Sequence, residues 1–156
     1  MIDHIRLSDC YRGCLLGLAA GDAVGTAVEF QRRGTFKPVT DMAGGGPFRL
    51  APGQWTDDTS MALCLAASLV ERNGFDPADQ MERYCRWKEQ GYFSSTGTCF
   101  DIGTTTDAAL LRYLSCLLRW SNQGVNDMLS QLSLSWGHYN ASYWGPISHA
   151  VSRMRR

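Results

Sequence analysis

GQWTDDTSMALCLAASLV, residues 53–70, joins four consecutive hard-oxygen side chains, Thr56, Asp57, Asp58 and Thr59, to an apolar pattern of helical period. Met61, Leu65 and Leu69, with Ala62, Ala66 and Val70 beside them, recur every three to four residues and define one helix face. The acidic cluster therefore stands at a helix N-terminus, where the dipole favours negative charge. Taken alone, the cluster reads first as a cap, because side chains of these types commonly close helix starts, with Asp58 or Thr59 as the N-cap. It also reads as half of a metal site. Adjacent carboxylates repel each other and lose hydration together when buried, so a fold that holds them side by side needs a cation or several backbone donors. Mg²⁺, Mn²⁺ and Ca²⁺ all prefer such oxygens.

A second segment, GCLLGLAAGDAVGTAVEF at residues 13–30, sets Gly13, Gly17 and Gly21 four residues apart on one helix face. Each glycine weakens a helix by about 1 kcal/mol relative to alanine, so the stripe predicts close approach by a neighbouring helix. Its apolar run stops at Gly21-Asp22, short of the roughly 20 residues that span a bilayer. Asp22 and Glu29 place carboxylates near and beyond the end of a helix expected to be buried.

Periodicity predicts helices near 8–24, 59–72, 76–90 and 104–120, an all-α fold in which the motifs lie at helix ends. Asp76-Pro77 reads as an N-cap followed by proline in the first turn. On the third helix, Arg83, Arg86 and Lys88 read as a solvated face, and Met81, Tyr84, Cys85 and Trp87 as the buried side. The Gly/Pro-rich loop from Phe30 to Trp55 is long enough to suggest function. By residue type alone Phe100 reads as core, and Asp101 as a turn or cap residue before the helix beginning near Thr105.

A chain of 156 residues with 44% hydrophobic composition supports one core and is too short for two ordinary domains. Zero net charge gives no cue to a polyanion or a membrane. The six cysteines form no Cys-x-x-Cys pair, and no secretory signal precedes them, which points to buried thiols in a reducing cytoplasm. His4, His138 and His149 are too scattered for a zinc site, and no phosphate-binding or dinucleotide glycine motif is present.

Several motifs stand in register: GLAAGDAVG (17–25), Glu29, GGGPF (44–48), PGQWTDDT (52–59) and TCFDIG (98–103). Their order and spacing resemble the ADP-ribosylglycohydrolase family over residues 8 to about 114. The resemblance implies an all-helical enzyme that binds one or two Mg²⁺ or Mn²⁺ ions and removes ADP-ribose from a modified side chain, often arginine. It implies metal ligation by Thr56, Asp57 and Asp58, and an acidic residue at Glu29 approaching the metal or the ribose. Glu29 or Asp58 would serve as general base, and Phe100, Asp101 and Gly103 would line the ADP-ribose cleft. The partners it implies are ADP-ribose or an ADP-ribosylated protein.

The chain departs from that family in three places. Gly103-Thr104-Thr105-Thr106-Asp107 stands where relatives usually read Gly-Asn-Thr-Thr and a basic residue. No Asp-x-Asp occurs anywhere, so the family's second metal half-site has no counterpart, and a Gly-Asn-Gly-Ser segment is also missing. Composition changes near Ser115: residues 1–114 hold five serines, whereas residues 115–156 hold eight, with one acidic residue and four arginines. The expected organisation is residues 1–114 as the N-terminal part of the family domain and 115–156 as a divergent segment of a truncated form. Leu117, Leu118, Leu129, Leu132 and Leu134 allow a short helix or two there. The aromatic stretch of Trp136, Tyr139, Tyr143 and Trp144 ends in arginines, but zero net charge and the lack of a basic stripe elsewhere argue against nucleic acid. The expectation is a hydrolase weak or inactive alone, with a partner supplying the other half-site. The alternatives are a non-catalytic ADP-ribose or nucleotide-binding module and a non-functional remnant.

Overall fold

Four α-helices follow along the chain, α1 His4–Gly25, α2 Asp57–Glu71, α3 Pro77–Gln90 and α4 Thr104–Trp120, with one 3₁₀ turn at Thr26–Val28. The computed structural model describes residues 4–120, with side chains from Arg6 to Leu117. Leu129, Leu132 and Leu134, where a further short helix was allowed, and the aromatic stretch from Trp136 to Trp144 lie outside the described residues. Among the described residues there is no strand, and the fold is all-α. No helix among them is long and apolar enough to cross a membrane.

α3 shows how locally the sequence specifies its elements. The Asp76 carboxylate accepts the Ala78 and Asp79 amides, both at 3.1 Å, and Pro77 occupies the first turn, where a missing N–H costs nothing. Gly91 ends the helix at φ 68°, and a Cβ there would sit 2.0 Å from the Gly97 carbonyl oxygen. Both the left-handed backbone and the close approach require glycine.

Cys64 of α2, Met81, Tyr84, Cys85 and Trp87 of α3, and Leu110 of α4 form the core. The four apolar residues expected on the buried side of α3 are all in it. On α2 the buried face is rotated from the expected one. Ser60, Cys64 and Ser68 are buried, Leu65 and Leu69 only half-buried, and Val70 is 78% exposed. α2 is clasped between α1 and α3, and small side chains permit the approach: the Cys64 thiol donates to the Arg83 carbonyl at 3.6 Å.

The solvated cationic face of α3 holds only for Arg86, which is exposed and lies 3.9 Å over the Tyr92 ring. Arg83 is buried and paired with Asp79 at 2.6 Å and Glu71 at 2.7 Å, and Lys88 pairs with Asp107 of α4. Burial is tolerated because every charge has a partner. The Arg83 guanidinium holds the Asp79 carboxyl well below the usual carboxylate range. All six cysteines are free thiols. Cys64 and Cys85 are buried as expected, whereas Cys10 and Cys14 are exposed on α1.

α1 differs most from expectation. At Gly13, Gly17 and Gly21 an added Cβ would meet no atom within 4 Å, and Leu16 is 70% exposed. Among the described residues, no helix seats against the glycine stripe.

Candidate functional site

The start of α2 is capped from a distance. Thr56 occupies the N-cap position, but its side chain makes no capping bond. Asp22 of α1 supplies the acceptor instead: its Oδ2 takes the Thr59 amide at 3.2 Å and the Thr59 hydroxyl at 2.6 Å. The Thr56 amide donates to both Asp22 oxygens, at 3.1 and 3.0 Å, and the Thr56 hydroxyl to Oδ1 at 3.0 Å. Neither Asp58 nor Thr59 is the cap, contrary to what their residue types suggest. Asp57 and Asp58 occupy the first turn, where the dipole favours them.

Two loops complete the surroundings. Gln54 Nε2 donates to the Ser95 carbonyl at 3.0 Å, Trp55 Nε1 to the Phe93 carbonyl at 3.2 Å, and Ser95 Oγ to the Trp55 carbonyl at 2.6 Å. These bonds fasten the segment before Thr56 to the loop that carries Asp101. Asp101 adopts φ 58°, a left-handed conformation that aspartate tolerates better than most residues. In the loop between α1 and α2, Gly45 and Leu50 pair through two backbone bonds of 2.7 and 2.9 Å. Gly46 is pressed against α1's end, where an added Cβ would lie 2.2 Å from the Thr26 carbonyl oxygen. This clamp sets Phe48 between Phe30 and Phe100, with ring centroids 6.5 and 5.3 Å apart. Phe30 is 80% exposed at one end of the aromatic row.

Glu29, Thr56, Asp57, Asp58 and Asp101 meet in one cleft of about 520 Å³, together with Asp22. Gly17, Gly21 and Gly25 line the same cleft. Gly17 and Gly21 of the glycine stripe are therefore part of a cleft wall, and absent side chains there leave room for a ligand where a packed helix was expected. Phe100 lies in the aromatic row. Gly103 is outside the lining, at the exposed start of α4, where its carbonyl accepts the Asp107 amide at 2.9 Å. Sequence reasoning marks Asp22 only as a carboxylate near the end of α1 and gives no role to Phe30 or Phe48. The signals that point to them are an aspartate directly after the glycine stripe and phenylalanines flanking Glu29 and the Gly44–Gly46 run.

Electrostatically the cleft is strained in favour of cations. Burial, then the charges of Asp101 and Asp58, push Asp57 up to about 6. Burial, then the charge of Glu29, push Asp101 up to about 6 as well. Glu29 is also raised, by burial first, while a hydrogen bond with Asp101 pulls it back down. The interaction between the two therefore favours a shared proton on Asp101 rather than on Glu29. Glu29 Oε2 is buried and has no hydrogen-bond partner among the described residues. Among the described residues, no three Asp, Glu, His or Cys side chains are grouped to hold a metal by themselves. The arrangement is an open set of hard oxygens rather than a closed cage.

The ADP-ribosylglycohydrolase family model matches residues 3–146. The chain is 53% identical over 120 residues to ADP-ribosylarginine hydrolase Tri1 of Serratia proteamaculans (strain 568), covering 77% of this chain and 32% of that protein. It is 39% identical over 106 residues to ADP-ribosyl-dinitrogen reductase glycohydrolase of Rhodospirillum rubrum, covering 65% and 34% respectively. A solved ADP-ribosylglycohydrolase-related protein complex aligns with a TM-score of 0.53 at 54% identity, over 65% of this chain and 31% of that one. The chain spans about a third of the length of these relatives. With a matching helical frame, the acidic motifs gathered in one cleft and a family model that extends over most of its length, the chain belongs to the ADP-ribosylglycohydrolase family.

Proposed function

We propose that this chain carries the carboxylate-rich part of an ADP-ribosyl hydrolase site. The reaction is hydrolysis of the N-glycosidic bond between ADP-ribose and a modified side chain, arginine by analogy with the Tri1 hydrolase. One observation carries the reading: Glu29, Thr56, Asp57, Asp58 and Asp101, from three separate stretches of sequence, line one cleft.

The donors fit a hard divalent cation, Mg²⁺ or Mn²⁺, because two adjacent carboxylates and a hydroxyl offer oxygen ligands only, and Asp57 is held in a setting that penalises its charge. Thr56, Asp57 and Asp58 would hold one or two such ions. When bound, the cation supplies Lewis acidity toward ribose hydroxyls and a water. While Asp101 holds a proton, it shares it with the neighbouring Glu29 and so favours the Glu29 carboxylate. Glu29 or Asp58 then accepts the proton of the attacking water as general base. The surrounding carboxylates stabilise the positive charge that develops on the sugar as the bond to the leaving nitrogen lengthens.

The test is release of free ADP-ribose from an ADP-ribosylated arginine substrate in Mg²⁺. Replacing Asp57 and Asp58 together with alanine lowers the rate about 100-fold or more; undiminished turnover in that double variant contradicts the assignment. A second reading, a binding module that holds ADP-ribose without turnover, is favoured by the open ligand set among the described residues. It predicts binding of ADP-ribose by the unsubstituted chain with no release of product.

A further inference from the structure

We infer that Asp22 is a positioning residue for the cation-binding end of α2, orienting the Thr56 hydroxyl and the Asp57–Asp58 turn without itself ligating the ion. The inference rests on the cation reading above. Asp22 lines the cleft, yet its oxygens are occupied by protein donors. Oδ1 accepts the Thr56 amide at 3.1 Å and the Thr56 hydroxyl at 3.0 Å. Oδ2 accepts the Thr56 amide at 3.0 Å, the Thr59 amide at 3.2 Å and the Thr59 hydroxyl at 2.6 Å. A carboxylate offers about four lone-pair directions, and these donors fill them.

The consequence falls on the neighbours. Thr56 has one hydroxyl hydrogen, and Asp22 Oδ1 is a nearer acceptor for it than Asp57 Oδ1, which lies at 3.3 Å. With that hydrogen directed to Asp22, the Thr56 oxygen keeps its lone pairs for a cation. Asp57 and Asp58 lie between the two threonines whose amides Asp22 holds, so their backbone is fixed from both sides. Such outer partners of metal ligands set ligand orientation. Every hydrogen-bond partner of Asp22 is a donor, so an asparagine, nearly identical in shape, would set an amide NH₂ against N–H or O–H groups.

Mn²⁺ binding to the full 156-residue chain tests this, with electron paramagnetic resonance reporting both affinity and the spectrum of the bound ion. Asp22→Asn is expected to weaken Mn²⁺ binding about 10–100-fold and to alter the bound spectrum at a temperature where circular dichroism shows it folded. Thr59→Val weakens binding by a smaller factor, and Thr59→Ser restores it. A merely structural role shifts the melting temperature and leaves affinity and spectrum unchanged, and that result in Asp22→Asn overturns the proposal alone. If Asp22→Asn does not fold, equal affinity in Thr59→Val and Thr59→Ser overturns it. Failure of the unsubstituted chain to bind Mn²⁺, or binding that survives Asp57→Ala with Asp58→Ala, overturns the cation reading and this inference with it.

Discussion

Burial and neighbouring carboxylates push Asp57 and Asp101 up to about 6 in the folded chain, from an ordinary value of 3.8. As pH rises, the unfolded chain gives up these protons first, so between those values the folded state binds more protons and stability falls with rising pH. The penalty is complete above the folded value and absent below the ordinary one. Glu71 and Asp79, both held low by Arg83, give the opposite slope, but only near and below about 4.5. Melting temperature without metal should therefore drop between pH 5 and pH 7, and Asp57→Asn or Asp101→Asn should flatten the drop. Equal slopes in wild type and both variants, by circular dichroism, would contradict the crowding of these groups. Thr56, Asp57 and Asp58 were legible as site residues because hard-oxygen types are adjacent in the chain. Asp22 was not, because its role depends on donors 34 and 37 residues away that only the folded chain brings to it.

The helices themselves were read to within a few residues: 8–24 against His4–Gly25, 59–72 against Asp57–Glu71, and 76–90 against Pro77–Gln90. Their faces were harder. Arg83 shares a helical pattern with Arg86, but Asp79 one turn earlier and Glu71 on α2 supply partners that make burial possible. Arg83→Ala leaves Asp79 buried with only Arg72 beside it and should cost about 3 kcal/mol, whereas Arg86→Ala, which loses a contact with Tyr92, should cost under about 1 kcal/mol. Urea unfolding distinguishes the two, and similar losses would put Arg83 at the surface. On α1, a glycine stripe is equally suited to a helix seat and to a cleft wall, and only the tertiary arrangement decides. Because no atom of the described residues lies within 4 Å of an added Cβ at Gly21, Gly21→Ala should stabilise the helix by about 1 kcal/mol. A destabilised variant in the same urea experiment would show that the stripe is packed.

At the level of the whole molecule, motif order was enough to read the family and helical periodicity the all-α frame, since each motif sits at a helix end. The joining of the loops was not legible: the bonds from Gln54 and Trp55 to the Ser95 and Phe93 carbonyls, and the Gly46 contact with Thr26, are tertiary facts. They make one cleft from three stretches of chain and give it its excess of carboxylates. A cation held there binds the folded state alone, so it should raise stability by mass action, by about 2.7 kcal/mol at a hundredfold excess over Kd. The decisive experiment is a thermal melt of the 156-residue chain, followed by circular dichroism at pH 7, with and without Mg²⁺ plus ADP-ribose. A cooperative transition that moves up with ligand in the unsubstituted chain, and stays fixed when Asp57 and Asp58 are both alanine, is the predicted result. A transition indifferent to ligand, or an equal rise in the double variant, would contradict the assignment of this cleft.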